Sequence, residues 1–274
     1  MNRIEELFAR RAREKRKVLI GYVTAGFPET NSLSGLVKGL AGAGLDLLEI
    51  GIPFSDPIAD GPTIQHSSQV ALQNGITLKE ILAQVAVIRK TESLPMVFMS
   101  YSNPIYTMGI KTFFEAARAS GVDGLIIPDL IPEESGRFDE AADACGIDLI
   151  YLVAPNTPKE RIRRIAHKTK GFLYAVSLAG VTGTREELPQ GLKPFLQLIK
   201  TLSPVPVAVG FGISTPAHAR SVAPYCDGII VGSALIKEIE KAHTQNGPQA
   251  TQFIQTLRQA LDETTGLRKE TYAS

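Results

Sequence analysis

The stretch LDLLEIGIPFSDPIADGP, Leu45 to Pro62, decides the fold. It opens on a short, almost continuously apolar run and then breaks into a loop punctuated by proline, glycine and aspartate. A run without strict polar alternation is what a strand buried on both faces requires. Seven further runs have the same character: VLIGYVT from Val18, PMVFMSY from Pro95, DGLIIP from Asp123, DLIYLV from Asp148, GFLYAVS from Gly171, PVAVGF from Pro206 and DGIIVG from Asp227. Each is followed by a segment of helical pattern, the crossover that parallel pairing demands. Eight strand-then-helix units predict an α/β fold, a closed (β/α)8 TIM barrel, with a doubly wound open sheet as the alternative. The gap between the second and third runs is the longest, and it holds an extra helical stretch from Thr63 to Gln73.

The two ends add helices. Ile4, Leu7, Phe8 and Ala12 fall near helical spacing, so residues 1–16 read as an amphipathic helix that caps one end of the core and exposes the basic face Arg10, Arg11, Arg13, Lys15, Arg16 and Lys17. A last helix is expected over 248–262. No Gly/Ser/Pro-rich linker divides the chain, and α/β barrels commonly reach about 250 residues as one domain, so residues 1–274 are expected to form one.

The formal charge of +1 offers no global attraction to nucleic acid or an acidic membrane. Two cysteines, Cys145 and Cys226, without a CxxC pair, indicate neither a disulfide framework nor a zinc ribbon. No apolar run approaches the roughly 18 residues of a membrane span, and the N-terminus has no signal-peptide core. A cytoplasmic location is expected.

In such a barrel the loops at the carboxyl ends of the strands carry the chemistry. Glu49 sits at the end of the second strand between apolar neighbours, where burial should raise its pKa and suit it to general acid/base work. A buried glutamate paired with Arg or Lys for structural reasons is the other reading. Asp60, and Asp56 near it, would alone be turn aspartates. Toward the C-terminus GVTG (Gly180 to Gly183), GFGI (Gly210 to Ile213) and GSA (Gly232 to Ala234) each follow a strand. Glycines let backbone N–H groups approach an anion, and a helix beginning after Gly232 would aim its positive end at it, so these loops predict a phosphate cradle. Neither GFGI nor GSA contains Lys or Arg.

Other barrel chemistries lack their equipment. No lysine stands at a strand end as a Schiff-base aldolase requires. His66, His167, His218 and His243 are far apart and form no HxH or HExxH motif, so no metal site is expected. His66 reads as a helix-surface or supporting residue.

The string LEIGIPFSDPIADGPTIQ from Leu48 to Gln65, with YSNPI at Tyr101, GVTG at Gly180, GFGIS at Gly210 and VGSA at Val231, resembles the tryptophan synthase α subunit family over essentially the whole chain. The resemblance implies retro-aldol cleavage of indole-3-glycerol phosphate to indole and glyceraldehyde 3-phosphate without a cofactor. It implies that Glu49 performs both proton transfers and that Asp60, ionised in a more polar loop, holds the ring N–H. Tyr174 would stand near the glycerol chain. Gly183, Gly212, Gly232 and Ser233 would bind the phosphate; Phe211 and Tyr22 would line the indole pocket, and Tyr101 would join the substrate site. Residues 180–190 would form a lid, with Thr182 meeting Asp60.

The family also implies a pyridoxal-phosphate β subunit as partner in an α2β2 assembly, the two chains activating each other. PFSDP, YSNPI and PDLIPEES from Pro128 would lie on the docking face. Phe27 and the pair Leu130-Ile131 depart from the common family pattern and bear on partner fit. A stand-alone lyase releasing free indole, and a catalytically idle regulatory module, are the other functions this sequence allows.

Overall fold

The computed structural model describes residues 2–176, 191–241 and 248–264. The apolar runs form nine parallel strand segments: β1 Val18–Thr24, β2 Leu47–Gly51, β3 Met96–Met99, β4 Gly124–Ile126, β5 Asp148–Ile150, β6 Leu152–Val153, β7 Leu173–Val176, β8 Val207–Gly210 and β9 Gly228–Val231. They neighbour one another in the order β5-β4-β3-β2-β1-β9-β8-β7-β6. The two ends of that order are consecutive in the chain and separated by Tyr151 alone, so the backbone itself closes the barrel.

Eight runs were expected, and the fifth is divided. Its Tyr151 N–H is taken by the side chain of Thr169 at 2.9 Å instead of a strand carbonyl. The ladder resumes where Tyr174 N–H donates to the Tyr151 carbonyl at 3.1 Å.

Among the described residues twelve helices surround the strands: α1 Arg3–Arg13, α2 Leu33–Gly42, α3 Pro62–Gln73, α4 Leu78–Ile88, α5 Ser102–Met108, α6 Ile110–Ser120, α7 Gly136–Cys145, α8 Lys159–Lys168, α9 Leu192–Leu202, α10 Pro216–Val222, α11 Ser233–Lys241 and α12 Pro248–Thr264. The extra helix expected after the second strand is α3, begun by Pro62 at a position where its missing N–H costs nothing. No described helix is long and apolar enough to cross a membrane.

Helix α1 plugs the amino-terminal end of the barrel. Asn2 and Glu5 close a capping box at its start. Ile4, Leu7 and Phe8 then pack against the inward side chains Val18, Ile20, Leu47, Val97 and Phe172. Its basic face is not simply solvated, as the sequence suggested. Arg11 pairs with the buried Asp46, and Arg16, just beyond the helix, meets Asp262 at 2.8 Å.

Aspartates ahead of or at the strand starts tie this end together. Asp46 accepts from Leu19 N–H at 2.9 Å, Asp123 from Met96 N–H at 2.9 Å and Asp227 from Val207 N–H at 2.8 Å. Arg89 and Arg3 neutralise Asp123, and Lys200 pairs with Asp227. The amino-terminal end is thus plugged and crossed by ion pairs, which leaves the opposite end for chemistry.

Candidate active site

Alternate residues of a strand face the barrel axis, so the plug contacts determine which side chains reach the other end. Counting in twos from Ile20, Leu47, Phe172, Ala208 and Ile230 gives Tyr22, Glu49, Tyr174, Gly210 and Gly232. All five line one cavity of about 690 Å³ at the carboxyl ends of the strands, together with Asp60, Gly212 and Ser233. Two glycines make room for the tyrosines. A Cβ on Gly51 would stand 2.0 Å from the Tyr22 hydroxyl, and one on Gly210 would stand 2.8 Å from the Tyr174 ring.

Glu49 is 1% exposed, and its Oε2 is buried without a hydrogen-bond partner. Among the described residues no cation pairs with it. Burial, and then the charge of Asp60, push its carboxyl up to about 8. Tyr22 and Tyr174 are raised well above the ordinary phenol value, chiefly by burial.

Asp60 lies in the loop from Ile52 to Gly61, between β2 and α3. The sequence predicts it ionised in a more polar loop; in the structure it is half-buried. Burial raises Asp60 to about 6, opposed by a hydrogen bond from the Tyr101 hydroxyl. Asp56 is exposed, bonded by the Ser55 hydroxyl at 2.5 Å, and does not line the cavity.

The glycine loops expected to cradle an anion line the same cavity. Gly212 takes a φ of +66°, in the left-handed region that favours glycine. Ser233 opens α11, so the N–H groups of its first turn face the cavity that Gly232, Ser233 and Ala234 line. Lys237 and Lys241 line the same cavity one and two turns along α11. Motif reading missed them because they lie beyond GSA; the i+4 and i+8 spacing from Ser233 would have found them.

Two expected substrate residues stand elsewhere. Phe211 turns its ring toward Phe195, with centroids 6.3 Å apart, and does not line the cavity. Tyr101 is buried behind the Asp60 loop, its ring against Phe54 at 5.3 Å. Thr182 and Gly183, with the expected lid 180–190, lie outside the described residues. His66 sits on the surface of α3 and bonds Glu240 of α11 at 2.9 Å. His218, on α10, lines the cavity, a role no motif signalled. Among the described residues no three His, Cys, Asp or Glu side chains cluster to hold a metal.

A parallel α/β barrel whose strand ends carry a raised glutamate, a second carboxylate and glycine-rich loops around one cavity is built as the barrel enzymes are. A family model described as tryptophan synthase alpha chain matches residues 8–265. The tryptophan synthase alpha chain of Dehalococcoides mccartyi is 45% identical over 262 residues, 96% of this chain and all of its own length. That of Geotalea daltonii is 46% identical over 241 residues, 88% of this chain and 91% of its own. Among solved structures, tryptophan synthase subunit alpha of Legionella pneumophila superposes with a TM-score of 0.89 at 38% identity, covering 96% and 99% of the two chains. A chain of Mycobacterium tuberculosis tryptophan synthase gives 0.88 at 34%, covering 95% and 98%. The chain belongs to the tryptophan synthase alpha chain family, and it is a lyase of tryptophan biosynthesis.

Proposed function

We propose that the cavity cleaves indole-3-glycerol phosphate into indole and glyceraldehyde 3-phosphate. The observation that carries this reading is Glu49, a buried carboxyl with an unbonded Oε2 in one cavity with Asp60, Gly212, Gly232 and Ser233. Protonated Glu49 delivers its proton to the ring carbon that bears the side chain. Asp60, ionised, accepts the ring N–H and stabilises the positive charge that develops there. Glu49, now ionised, takes the proton of the neighbouring side-chain hydroxyl; the carbon–carbon bond breaks, the aldehyde forms, and its electron pair returns to the ring. Glu49 ends as it began, so one residue serves both transfers.

Gly212, Gly232 and Ser233 hold the phosphate through backbone N–H groups and a hydroxyl, joined by Gly183. Tyr174 stands by the glycerol chain and Tyr22 by the indole. Ile58, Tyr106 and Ile131 are exposed on the segments after β2, β3 and β4, and this apolar patch on the cavity's own face suits a β subunit that receives the indole in an α2β2 assembly. Of the residues that depart from the family pattern, Phe27 is buried against His66 and Leu130 packs into the core, so Ile131 alone meets a partner. The chain acts as one barrel domain over residues 1–274. Its two free thiols suit the cytoplasm.

Indole release from indole-3-glycerol phosphate by the wild type and by Glu49→Gln, each with and without β subunit, tests the reading. The variant is expected to lose roughly 10²- to 10⁴-fold in kcat. Comparable rates for the two proteins would sink the mechanism, and full turnover with no β subunit would favour a stand-alone lyase.

A further inference from the structure

The segment from Ile52 to Gly61 contains no helix or strand, and Ser55, Asp56, Ile58 and Ala59 are exposed. A carboxylate on such a loop needs an external fixture if it is to meet a ring N–H in one place. The loop's own turns supply part of this. Ile58 N–H bonds the Asp56 carbonyl at 2.9 Å and Asp60 N–H the Pro57 carbonyl at 3.0 Å. Neither restrains the Asp60 side chain.

The fixture comes from the next strand's loop. Ala59 N–H donates to the Tyr101 hydroxyl oxygen at 2.9 Å. A phenol has one proton to give, and with its oxygen accepting from Ala59 N–H the Tyr101 O–H is left for the neighbouring Asp60 carboxylate, whose ionised form it favours. That oxygen thus ties the loop backbone, one residue before Asp60, to a residue that is 4% exposed.

Tyr101 is itself fixed from below and beside. Its ring packs on Phe54. The next residue, Ser102, opens α5 and is clamped by Asp129 of the β4 loop: Ser102 N–H donates to Asp129 Oδ1 at 2.9 Å and its hydroxyl to Oδ2 at 2.7 Å. Three successive strand-end loops are therefore joined in one path from Asp129 through Ser102 and Tyr101 to Ala59, the residue before Asp60.

We infer that Tyr101 is a positioning residue, not a substrate contact: it holds Asp60 at the cavity wall, with Asp129 holding Tyr101 in turn. The inference rests on the proposed cleavage only for what Asp60 then does. The charged and phenolic groups facing Asp60 are Glu49 from β2, Tyr22 from β1, Tyr174 from β7 and Tyr101 itself. Lys237, Glu238 and Lys241 of α11 line the same cavity. Of these, Tyr101 is the group that favours the ionised form of Asp60.

The test compares full-length wild type, Tyr101→Phe and Asp129→Ala. Tyr101→Phe keeps the ring on Phe54 and removes only the hydroxyl. Its kcat for indole release is expected to fall roughly ten- to hundredfold, the scale of a reacting group displaced by about 1 Å, with a smaller change in KM. The acid limb of its kcat profile should move to higher pH, because the lost hydrogen bond favoured the ionised form of Asp60. Carbon-13 NMR titration of the Asp60 carboxyl should show the same upward move. Asp129→Ala should shift both in the same direction by less, and it decides the matter if Tyr101→Phe does not fold. An Asp60 titration and acid limb unchanged in the folded variants would overturn the inference. If the wild type does not cleave indole-3-glycerol phosphate, the functional reading falls, and the Asp60 titration still decides whether the tether exists.

Discussion

Glu49 and Asp60 line one cavity with no cation paired to Glu49 among the described residues, and they titrate apart, Glu49 at about 8 and Asp60 at about 6. Both are raised by burial. Glu49 is raised further because it is the deeper of the two and bears the charge of Asp60, whereas Asp60 has the Tyr101 hydroxyl to favour its ionised form. Two similar side chains are thereby given opposite protonation states near neutrality, the condition for dividing acid and electrostatic roles between them.

This separation predicts a bell-shaped pH profile for kcat. The productive form has Glu49 protonated and Asp60 ionised. Below about 6 Asp60 gains a proton and the ring N–H loses its acceptor; above about 8 Glu49 loses the proton it must deliver. Activity should peak between these limits, and the two limbs belong to the coupled pair as a whole. Single-turnover indole release measured across this range checks it, and a rate that climbs steadily through the upper limit would contradict the assignment.

Much of this was legible in the sequence, and the remainder divides by distance along the chain. The barrel was visible because strands buried on both faces leave unbroken apolar runs, and Glu49 was visible because a carboxyl inside such a run has few benign explanations. Tyr22 and Tyr174 follow once the period of two is counted from the plug. The interruption at Tyr151 was not legible, since it depends on a side chain 18 positions away. The raised Asp60 was missed for a related reason: its loop is polar in composition, yet Tyr101, 42 positions from Ala59, packs behind it. Composition reports a loop's residues, not what folds over them. The indole itself came from family resemblance.

At the opposite end of the barrel, Asp46 is the hub of a buried ion network. Its carboxylate binds Arg11, Arg258 Nη1 at 3.0 Å and Leu19 N–H at 2.9 Å, and the side chains of Asp46 and Arg258 are 2% and 6% exposed. Asp46→Ala leaves the Arg258 guanidinium buried without this partner, a loss on the order of 3–5 kcal/mol. Denaturant unfolding should show that loss, while the fraction still folded keeps near-normal kcat because the network lies far from the cavity. A loss under about 1 kcal/mol would mean that Asp262, which also bonds Arg258, suffices alone.

Asp148 has no comparable partner. Its Oδ2 is buried and unbonded, and a Cβ added at Gly171 would stand 2.9 Å from it. Burial, followed by the charge of Glu5, raises the carboxyl to about 6, with Asn2 and Lys170 opposing. A carboxyl raised in the folded state binds its proton more tightly there than in the unfolded chain. Its stabilising contribution is therefore complete below the unfolded value near 4 and disappears as pH rises through about 6. Asp148→Asn removes this dependence. Relative to wild type, the variant should gain on the order of 2 kcal/mol of unfolding free energy between about pH 4 and about pH 7. Denaturation at the two pH values measures the gain directly. A difference between variant and wild type that stays constant with pH would show that the Asp148 charge is already satisfied in the folded protein.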